Sequence, residues 1–148
     1  MPRSRVLHLH KIFLADDSSA DGLLMRMAFA DALLIVEVVQ VFSGVEACAT
    51  LLNAAQTPPF PYSMIVLDLN MPKMTGIELL EKLDALPILA DIPKIVLTSS
   101  TNPRDQERAM VHHPTLYLTK PYDYHGMISL VKGFIPMLKV PETPTATA

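Results

Sequence analysis

The stretch MIVLDLNMP, residues 64–72, decides the fold. Four consecutive apolar residues lead to a single acid, Asp68, and Pro72 then marks a turn. An apolar run without polar alternation is typical of a strand that is buried on both faces of a parallel sheet. Open parallel α/β sheets place their ligand sites at the carboxyl ends of the strands. The stretch therefore predicts a buried strand with a functional carboxylate at its end.

A second apolar run, residues 12–15, ends in the acid pair Asp16 and Asp17. If both runs are strands of one parallel sheet, the carboxylates of both meet at the same edge. Like charges this close repel one another unless a divalent cation neutralises them. Taken alone, the acid pair before Ser18 is equally well explained as the acidic start of a helix. Together with Asp68, it favours a cation site.

Bulk properties exclude several classes of protein. The chain has 148 residues, half of them hydrophobic, which suits one globular domain with a substantial core. The net charge of −3 provides no basic surface, which argues against direct binding of nucleic acid. The single cysteine, Cys48, excludes an internal disulfide and fits a reducing compartment, where we expect it as a small core residue. No stretch approaches the roughly 20 apolar residues of a spanning helix, so we expect a cytoplasmic protein without membrane association.

Apolar runs alternate with helical patterns along the rest of the chain. Strands are predicted at residues 12–15, 37–42, 64–68, 94–97 and 116–118. Helices are predicted after Ser18 or Ser19, after Ser43, from Gly76, from Pro103 to about Met110, and through residues 127–138. This alternation implies right-handed crossovers and a five-stranded parallel sheet with helices on both faces. The inward face of the first helix is expected to carry Leu23, Met27, Ala30 and Leu34.

The domain is expected to span residues 11–138. Residues 1–10 are expected to be a flexible N-terminal segment, and the small, polar residues 139–148 a disordered tail.

Two further polar residues follow predicted strands. Thr98 ends the fourth strand and Lys120 follows the fifth. Alone, Thr98 is well explained as a strand-end hydroxyl, and Lys120 as a solvated surface charge. Their convergence with Asp16, Asp17 and Asp68 at one rim indicates function, because clustered titratable groups in a cleft mark functional sites.

These residues resemble the receiver domain of bacterial response regulators, the CheY-like family. The resemblance lies in the segments ADD (15–17), DLNMPKMTG (68–76), LTS (97–99) and YLTKP (117–121). It covers about residues 10–138. It implies a flavodoxin-like three-layer α/β sandwich with strand order 2-1-3-4-5.

The resemblance implies a phosphoacceptor and a magnesium site. Asp68 would accept the phosphoryl group. Asp17, Asp68 and the backbone carbonyl of Asn70 would bind Mg²⁺ directly, and Asp16 would hold it through water. An aspartate is a poor nucleophile toward an anionic phosphoryl group, and a magnesium ion cancels much of that repulsion.

The same resemblance implies a switch beside the acceptor. Thr98 and Lys120 would bind the attached phosphoryl group, and Tyr117 would be the aromatic residue that reorients. A short neutral donor and a compact positive charge both suit a phosphate. The family also implies a cis peptide bond between Lys120 and Pro121, which would aim the lysine inward.

The expected function is that of a stand-alone response regulator in a two-component phosphorelay. A sensor histidine kinase or a histidine phosphotransfer protein would phosphorylate it. Beyond Mg²⁺-dependent self-phosphorylation and self-dephosphorylation, no enzyme activity is expected. Since little chain follows residue 138, the output is expected to be contact with a separate downstream protein, unknown from sequence. The fourth helix, fifth strand and fifth helix would form the contact face, in a monomer or a phosphorylation-dependent homodimer.

Other functions remain open or are disfavoured by single residues. The main alternative is a scaffold on the same fold that works without phosphorylation. A phosphatase of the haloacid dehalogenase type needs a general acid where this chain has Asn70. A flavodoxin would place the phosphate of FMN in the first loop, where Asp16, Asp17 and Asp21 would repel it. The unusual segment HHPT, residues 112–115, leaves the end of the fourth helix open.

Overall fold

The computed structural model describes residues 9–32 and 35–139. Its strands are β1 (His10–Ala15), β2 (Val36–Val41), β3 (Met64–Leu67), β4 (Lys94–Thr98) and β5 (Leu116–Thr119). Its α-helices are α1 (Ser19–Asp31), α2 (Gly44–Ala55), α3 (Gly76–Asp84), α4 (Pro103–Met110) and α5 (Tyr124–Phe134). Short 3₁₀ helices lie at Pro87–Leu89 and Ile135–Met137, and the second contains Pro136.

The strands form one parallel sheet in the order β2-β1-β3-β4-β5, as predicted. β1 pairs with β2 on one side and with β3 on the other, so that Ile12 lies opposite both Val38 and Met64. The strand order reverses between β1 and β3, and in open α/β sheets such a reversal opens a crevice at the carboxyl ends of the two strands. Asp16 and Asp68 follow these two ends directly.

The inner strands β1, β3 and β4 are buried on both faces, which explains their continuous apolar runs. In β1, Phe13 and Ala15 belong to the cluster that packs with α2 and α3. The alternate residues Ile12 and Leu14 belong to the cluster that packs with α1 and α5. Cys48 is a buried core residue of α2, as expected.

Side-chain caps fix the start of each α-helix. In every case a side-chain oxygen accepts a hydrogen bond from a backbone N–H two or three residues later, which satisfies a donor that the helix leaves free. Of the two serines predicted to start the first helix, Ser18 is the cap and Ser19 the first helical residue, and the prediction that Ser43 starts the second helix is confirmed. The other capping residues are Thr75, Asn102 and Asp123.

The predicted inward face of α1 is wrong. Leu23 and Met27 are 55% and 46% exposed, and Ala30 is also exposed, whereas Leu34 lies outside the described residues. Both stripes of α1 have helical spacing, so the pattern alone does not choose between them. Packing decides which stripe faces the core. Gly22 has no side chain and therefore allows the helix to lie against β2. The buried residues of α1 are Gly22, Met25, Ala28 and Phe29.

Helix α4 ends at Met110, where the sequence analysis placed it. His113 follows in a left-handed conformation, with φ of 51°. The ring of His112 turns toward the end of α3, where its Nδ1 lies 2.5 Å from Asp84 Oδ2. The unusual segment thus forms a turn that ties the ends of α3 and α4 together.

Most of the two expected flexible ends lies outside the described residues, namely 1–8 and 140–148. His10 already belongs to β1, and the backbone N–H of Lys139 donates to the carbonyl of Ser63 at 3.1 Å. Within the described ranges, none of the helices combines the length and the apolar character that crossing a bilayer requires.

Candidate functional site

Backbone hydrogen bonds bring three carboxylates together at the end of the sheet. The N–H of Asp68 donates to the carbonyl of Ala15 at 2.9 Å, so the ends of β1 and β3 lie side by side. One carboxylate oxygen from each of Asp16, Asp17 and Asp68 lies within 4.8 Å of the others. Asp16 and Asp68 are 2% and 3% exposed, whereas Asp17 faces solvent. An open, acidic pocket results.

The ammonium group of Lys120 compensates this negative charge. Its Nζ lies 2.9 Å from Asp16 Oδ2, 3.0 Å from Asp68 Oδ2 and 2.7 Å from Asp21 Oδ2. The lysine side chain is only 14% exposed, so water screens these pairs less than it would on an open surface. Asp21 stands in the first turn of α1 and brings a fourth carboxylate to the pocket.

Burial and pairing shift the titration of both buried partners. Burial raises the pKa of Asp16, although the hydrogen bonds from Lys120 and from the N–H of Ser18 oppose that rise. Burial alone would lower the pKa of Lys120. The hydrogen bonds to Asp21, Asp16 and Asp68 outweigh it and hold that pKa well above its usual range. The lysine is therefore a permanent positive charge beside the carboxylates.

The loop after β3 is held close to the acceptor carboxylate. The N–H of Asn70 donates to Asp68 Oδ1 at 3.3 Å, and the N–H of Gly76 donates to the carbonyl of Leu69 at 2.9 Å. A Cβ atom on Gly76 would lie 2.3 Å from the carbonyl oxygen of Asp68, so only glycine fits there. Within the loop, Lys73 takes a left-handed conformation with φ of 71°. The start of α3 thus supports the backbone of Asp68 from behind.

The loop after β1 is held by a side chain from β2. The amide Nε2 of Gln40 donates to the backbone carbonyls of Asp16 at 2.9 Å and of Ser18 at 3.0 Å. A Cβ atom on Gly22 would lie 1.9 Å from Oε1 of Gln40, so the missing side chain makes room for the amide. Gln40 and Gly22 together fix the backbone that carries Asp16 and Asp17.

Thr98 ends β4, the strand next to β3, and is fully buried. Its Oγ1 accepts a hydrogen bond from the N–H of Ser100 at 3.1 Å, and its carbonyl accepts one from the N–H of Lys120 at 2.8 Å. The hydroxyl of Ser100 in turn donates to Asp105 Oδ2 in α4. The threonine is thereby linked to both the lysine loop and the fourth helix.

Tyr117 lies in β5 and packs against the α2–α3 side of the core. Its hydroxyl is buried and has no hydrogen-bond partner among the described residues. Burial raises the pKa of Tyr117, and the negative charges of Asp105 and Asp68 raise it further.

Comparison with known proteins gives one family for most of the chain. The response regulator receiver domain matches residues 12–132. The chain belongs to the response regulator receiver family. Its fold, with strand order 2-1-3-4-5, is that of CheY-like receivers.

Individual relatives are similar over most of their length. Response regulator Rcp1 of Synechocystis sp. is 32% identical over 123 residues, which are 82% of this receiver and 84% of Rcp1. The phosphorylated cyanobacterial phytochrome response regulator RcpA is 34% identical, with a TM-score of 0.76 over 90% of this receiver and 99% of that chain. The Mn²⁺-bound form of Rcp1 is 30% identical, with a TM-score of 0.74 over 92% of this receiver and 99% of that chain.

The donor set of this receiver fits a hard divalent cation. Mg²⁺ and Mn²⁺ prefer carboxylate and carbonyl oxygens, and the three clustered carboxylates provide them within reach of one ion. Receivers bind Mg²⁺ or Mn²⁺ at such an acidic pocket. Asp16, Asp17 and Asp68 are the residues that would hold the ion here.

The prediction of a cis peptide bond between Lys120 and Pro121 is wrong. In the described part of the receiver, the cis bond is Pro58–Pro59 instead. The lysine does not need that geometry to point inward, because its N–H is fixed on Thr98 and its ammonium group is held by carboxylates.

The structure places the predicted residues Asp16, Asp17, Asp68 and Lys120 in one cluster, while Thr98 joins it through the backbone. The N–H of Asn70 donates to Asp68 Oδ1, and the role of the Asn70 carbonyl as a metal ligand stays a prediction. Three contributors were not predicted: Asp21, Gln40 and Asp105. Only Asp21 had a sequence signal, since an acid in the first helical turn, four residues after Asp17, returns to the same rim.

Proposed function

We propose that this receiver accepts a phosphoryl group on Asp68, from a histidine kinase or a histidine phosphotransfer protein, and thereby switches the binding of a separate partner. One observation carries the proposal. The buried carboxylate of Asp68 lies 3.0 Å from Lys120 Nζ and shares a cluster with Asp16 and Asp17. A buried acid between a protonated lysine and a potential metal site is suited to react with a phosphate.

The transfer is a displacement at phosphorus. An oxygen of Asp68 forms the new bond to phosphorus, while the bond from phosphorus to the donor atom breaks and that atom keeps the electron pair. Lys120 supplies positive charge where the phosphoryl oxygens would lie. Because Lys120 stays protonated, it acts by charge and not by proton transfer.

Asp16, Asp17 and Asp68 would hold Mg²⁺, with the carbonyl of Asn70 as a further ligand. A bound Mg²⁺ ion would neutralise the repulsion between Asp68 and an anionic donor. The similarity to the Mn²⁺-bound form of Rcp1 supports a divalent cation here.

The switch would begin at Thr98. Its hydroxyl is tied to the N–H of Ser100 in this structure, and an attached phosphoryl group offers it a charged acceptor in exchange. Movement of Thr98 would open space beside Tyr117, whose buried hydroxyl lacks a partner among the described residues. Packed interiors respond to such a change by moving between two arrangements.

The output would travel through the face formed by α4, β5 and α5. Ala109 is the only buried residue of α4, so this helix is lightly anchored and can shift at low cost. Residues 104–108 carry both signs of charge, which suits specific recognition. Between β5 and α5 lies an apolar groove with Leu116, Leu118 and Leu130 among its lining residues. A partner protein or a second phosphorylated copy would bind here.

The decisive experiment is intact-mass measurement after incubation with Mg²⁺ and acetyl phosphate. One added phosphoryl group is expected on the wild-type chain and none on Asp68→Asn. Asp91→Asn, which removes an exposed acid elsewhere, is the matched control and should be labelled normally. Labelling of Asp68→Asn would move the acceptor to another residue. An unlabelled wild-type chain, also with a histidine phosphodonor, would favour the phosphorylation-independent scaffold.

A further inference from the structure

Asp21 differs from the other two carboxylates that contact Lys120. Its contact with Nζ, at 2.7 Å, is the shortest of the three. Asp16 and Asp68 also belong to the cluster that could hold a metal ion, whereas Asp21 does not. Asp21 is also more open to solvent, with a side-chain exposure of 33% against 2% and 4% for the other two.

We propose that Asp21 is a positioning residue that holds the ammonium group of Lys120 at the rim of the pocket and thereby frees Asp16 and Asp68 for a divalent cation. This inference deepens the proposed function and rests on it. It concerns the step before phosphoryl transfer, in which the pocket must exchange one cation for another.

The argument starts from the number of donors. A lysine ammonium group has three N–H donors, and here each has one carboxylate within hydrogen-bond distance. In Asp16 and Asp68 the lysine contacts Oδ2, while Oδ1 accepts a backbone N–H, from Ser18 and from Asn70 respectively, so a metal ion would compete with the lysine for these carboxylates. Lys120 is therefore an internal competitor for the metal site as well as a helper for the phosphate.

Removing the lysine from two buried carboxylates would leave its charge unpaired in a poorly solvated place, which is costly. Asp21 removes that cost, because the ammonium group keeps a charged partner when it gives up the other two. The geometry of α1 fixes this partner: Asp21 lies in the first turn, and its N–H is held by the hydroxyl of the capping residue Ser18 at 3.1 Å. A carboxylate at this place can retain Lys120 close enough to meet a phosphoryl group on Asp68.

The test is a double-mutant cycle on cation binding. Free Mn²⁺ is measured by electron paramagnetic resonance during titration of the wild type, Asp21→Asn, Lys120→Met and the double variant, without a phosphodonor. Loss of one negative charge alone would weaken Mn²⁺ binding by the same factor in both backgrounds. If Asp21 acts through Lys120, the Asp21→Asn factor is larger when the lysine is present, by roughly threefold or more, a coupling typical of residues in contact. Lys120→Gln provides a second background should the methionine variant not fold.

Conservative rescue separates position from charge. Asp21→Glu restores a carboxylate that can reach the lysine and is expected to recover most of the wild-type affinity. Equal factors in the two backgrounds, or a larger factor without Lys120, would overturn the proposal. Because these titrations contain no phosphodonor, their results do not depend on whether Asp68 can be phosphorylated. A wild-type chain that binds Mn²⁺ in this way but is never phosphorylated would contradict the proposed function and leave the role of Asp21 toward the cation intact.

Discussion

The hydroxyl of Ser100 donates a hydrogen bond of 2.5 Å to Oδ2 of Asp105, across the junction between β4 and α4. The N–H of the same serine donates to Oγ1 of Thr98. One residue thus joins the buried threonine of the pocket to the first turn of the helix that would carry the output.

Ser100→Ala is expected to loosen this junction. Loss of a hydrogen bond to a charged partner should lower the free energy of unfolding by about 1 kcal/mol, since the site is partly exposed. Amide exchange in residues 102–106 should become faster, because the start of α4 loses its link to β4. Urea denaturation and exchange mass spectrometry measure the two effects. Thr101→Ala, a neighbouring exposed hydroxyl, is the control, and equal exchange in both variants would disprove the link.

Gly76→Ala should disturb the support behind Asp68. The added Cβ would meet the carbonyl oxygen of Asp68 at 2.3 Å and force the loop to move. Overpacking of this kind costs roughly 1–3 kcal/mol in the free energy of unfolding. Gly133→Ala is the matched control, because nothing lies within 4 Å of its added Cβ and alanine favours a helix by up to about 1 kcal/mol. Equal stability of the two variants in urea would contradict the close contact at Gly76.

The contact between α1 and α5 predicts a late-titrating tyrosine. The hydroxyl of Tyr124 donates to Oδ2 of Asp31, and this hydrogen bond is the largest cause that raises the pKa of Tyr124 to about 12. Because the folded-state pKa lies above the unfolded value, the stability from this contact is complete below about pH 10 and is lost as the pH rises toward 12.

Ultraviolet titration of phenolate tests this contact by difference. Subtracting Tyr124→Phe from the wild type should leave one phenol that ionises near pH 12. Asp31→Asn should move this transition to lower pH, since it removes the negative charge and leaves a weaker, neutral acceptor. A transition that does not respond to Asp31→Asn would mean that the contact does not persist in solution.

Beryllofluoride, a phosphoryl mimic that should bind Asp68, is expected to change the output face. With Mg²⁺ present, amide exchange should alter in α4, β5 and the start of α5, within residues 103–124. Such a coupling typically amounts to about 1–3 kcal/mol, so the changes should be readily measured. Asp68→Asn should show none of them. Changes limited to the rim loops would leave the switch without an output and support the scaffold instead.

Much of the fold could be predicted because local signals agreed with the global pattern. The uninterrupted apolar run before Asp68 required burial on both faces, and the caps Ser18 and Ser43 fixed where helices begin. Parallel strands with short loops then brought Asp16, Asp68 and Lys120 to one rim without any knowledge of side-chain contacts.

The wrong face of α1 and the contacts that were not predicted depend on tertiary structure, which local sequence patterns do not contain. The stripe of α1 that faces the core depends on how closely Gly22 can approach β2, and periodicity contains no such distance. The bond from Ser100 to Asp105 depends on the turn between them. The sequence indicates Asp21 only as a further negative charge of the first loop, because its contact with Lys120 joins residues 99 positions apart.

The close fit between Gly22 and the amide of Gln40 restricts which residues can occupy positions 22 and 40 during evolution. With 1.9 Å between the missing Cβ and the amide oxygen, the two positions share one small volume. A larger residue at 22 requires that the amide of Gln40 move aside or that residue 40 become smaller, and in either case the carbonyls of the acidic loop lose their amide donor. In a deep alignment of close relatives, the two positions should therefore change as a pair, glycine with glutamine or a side chain with a smaller partner. A library that randomises both positions and selects for folded protein should return the same pairing.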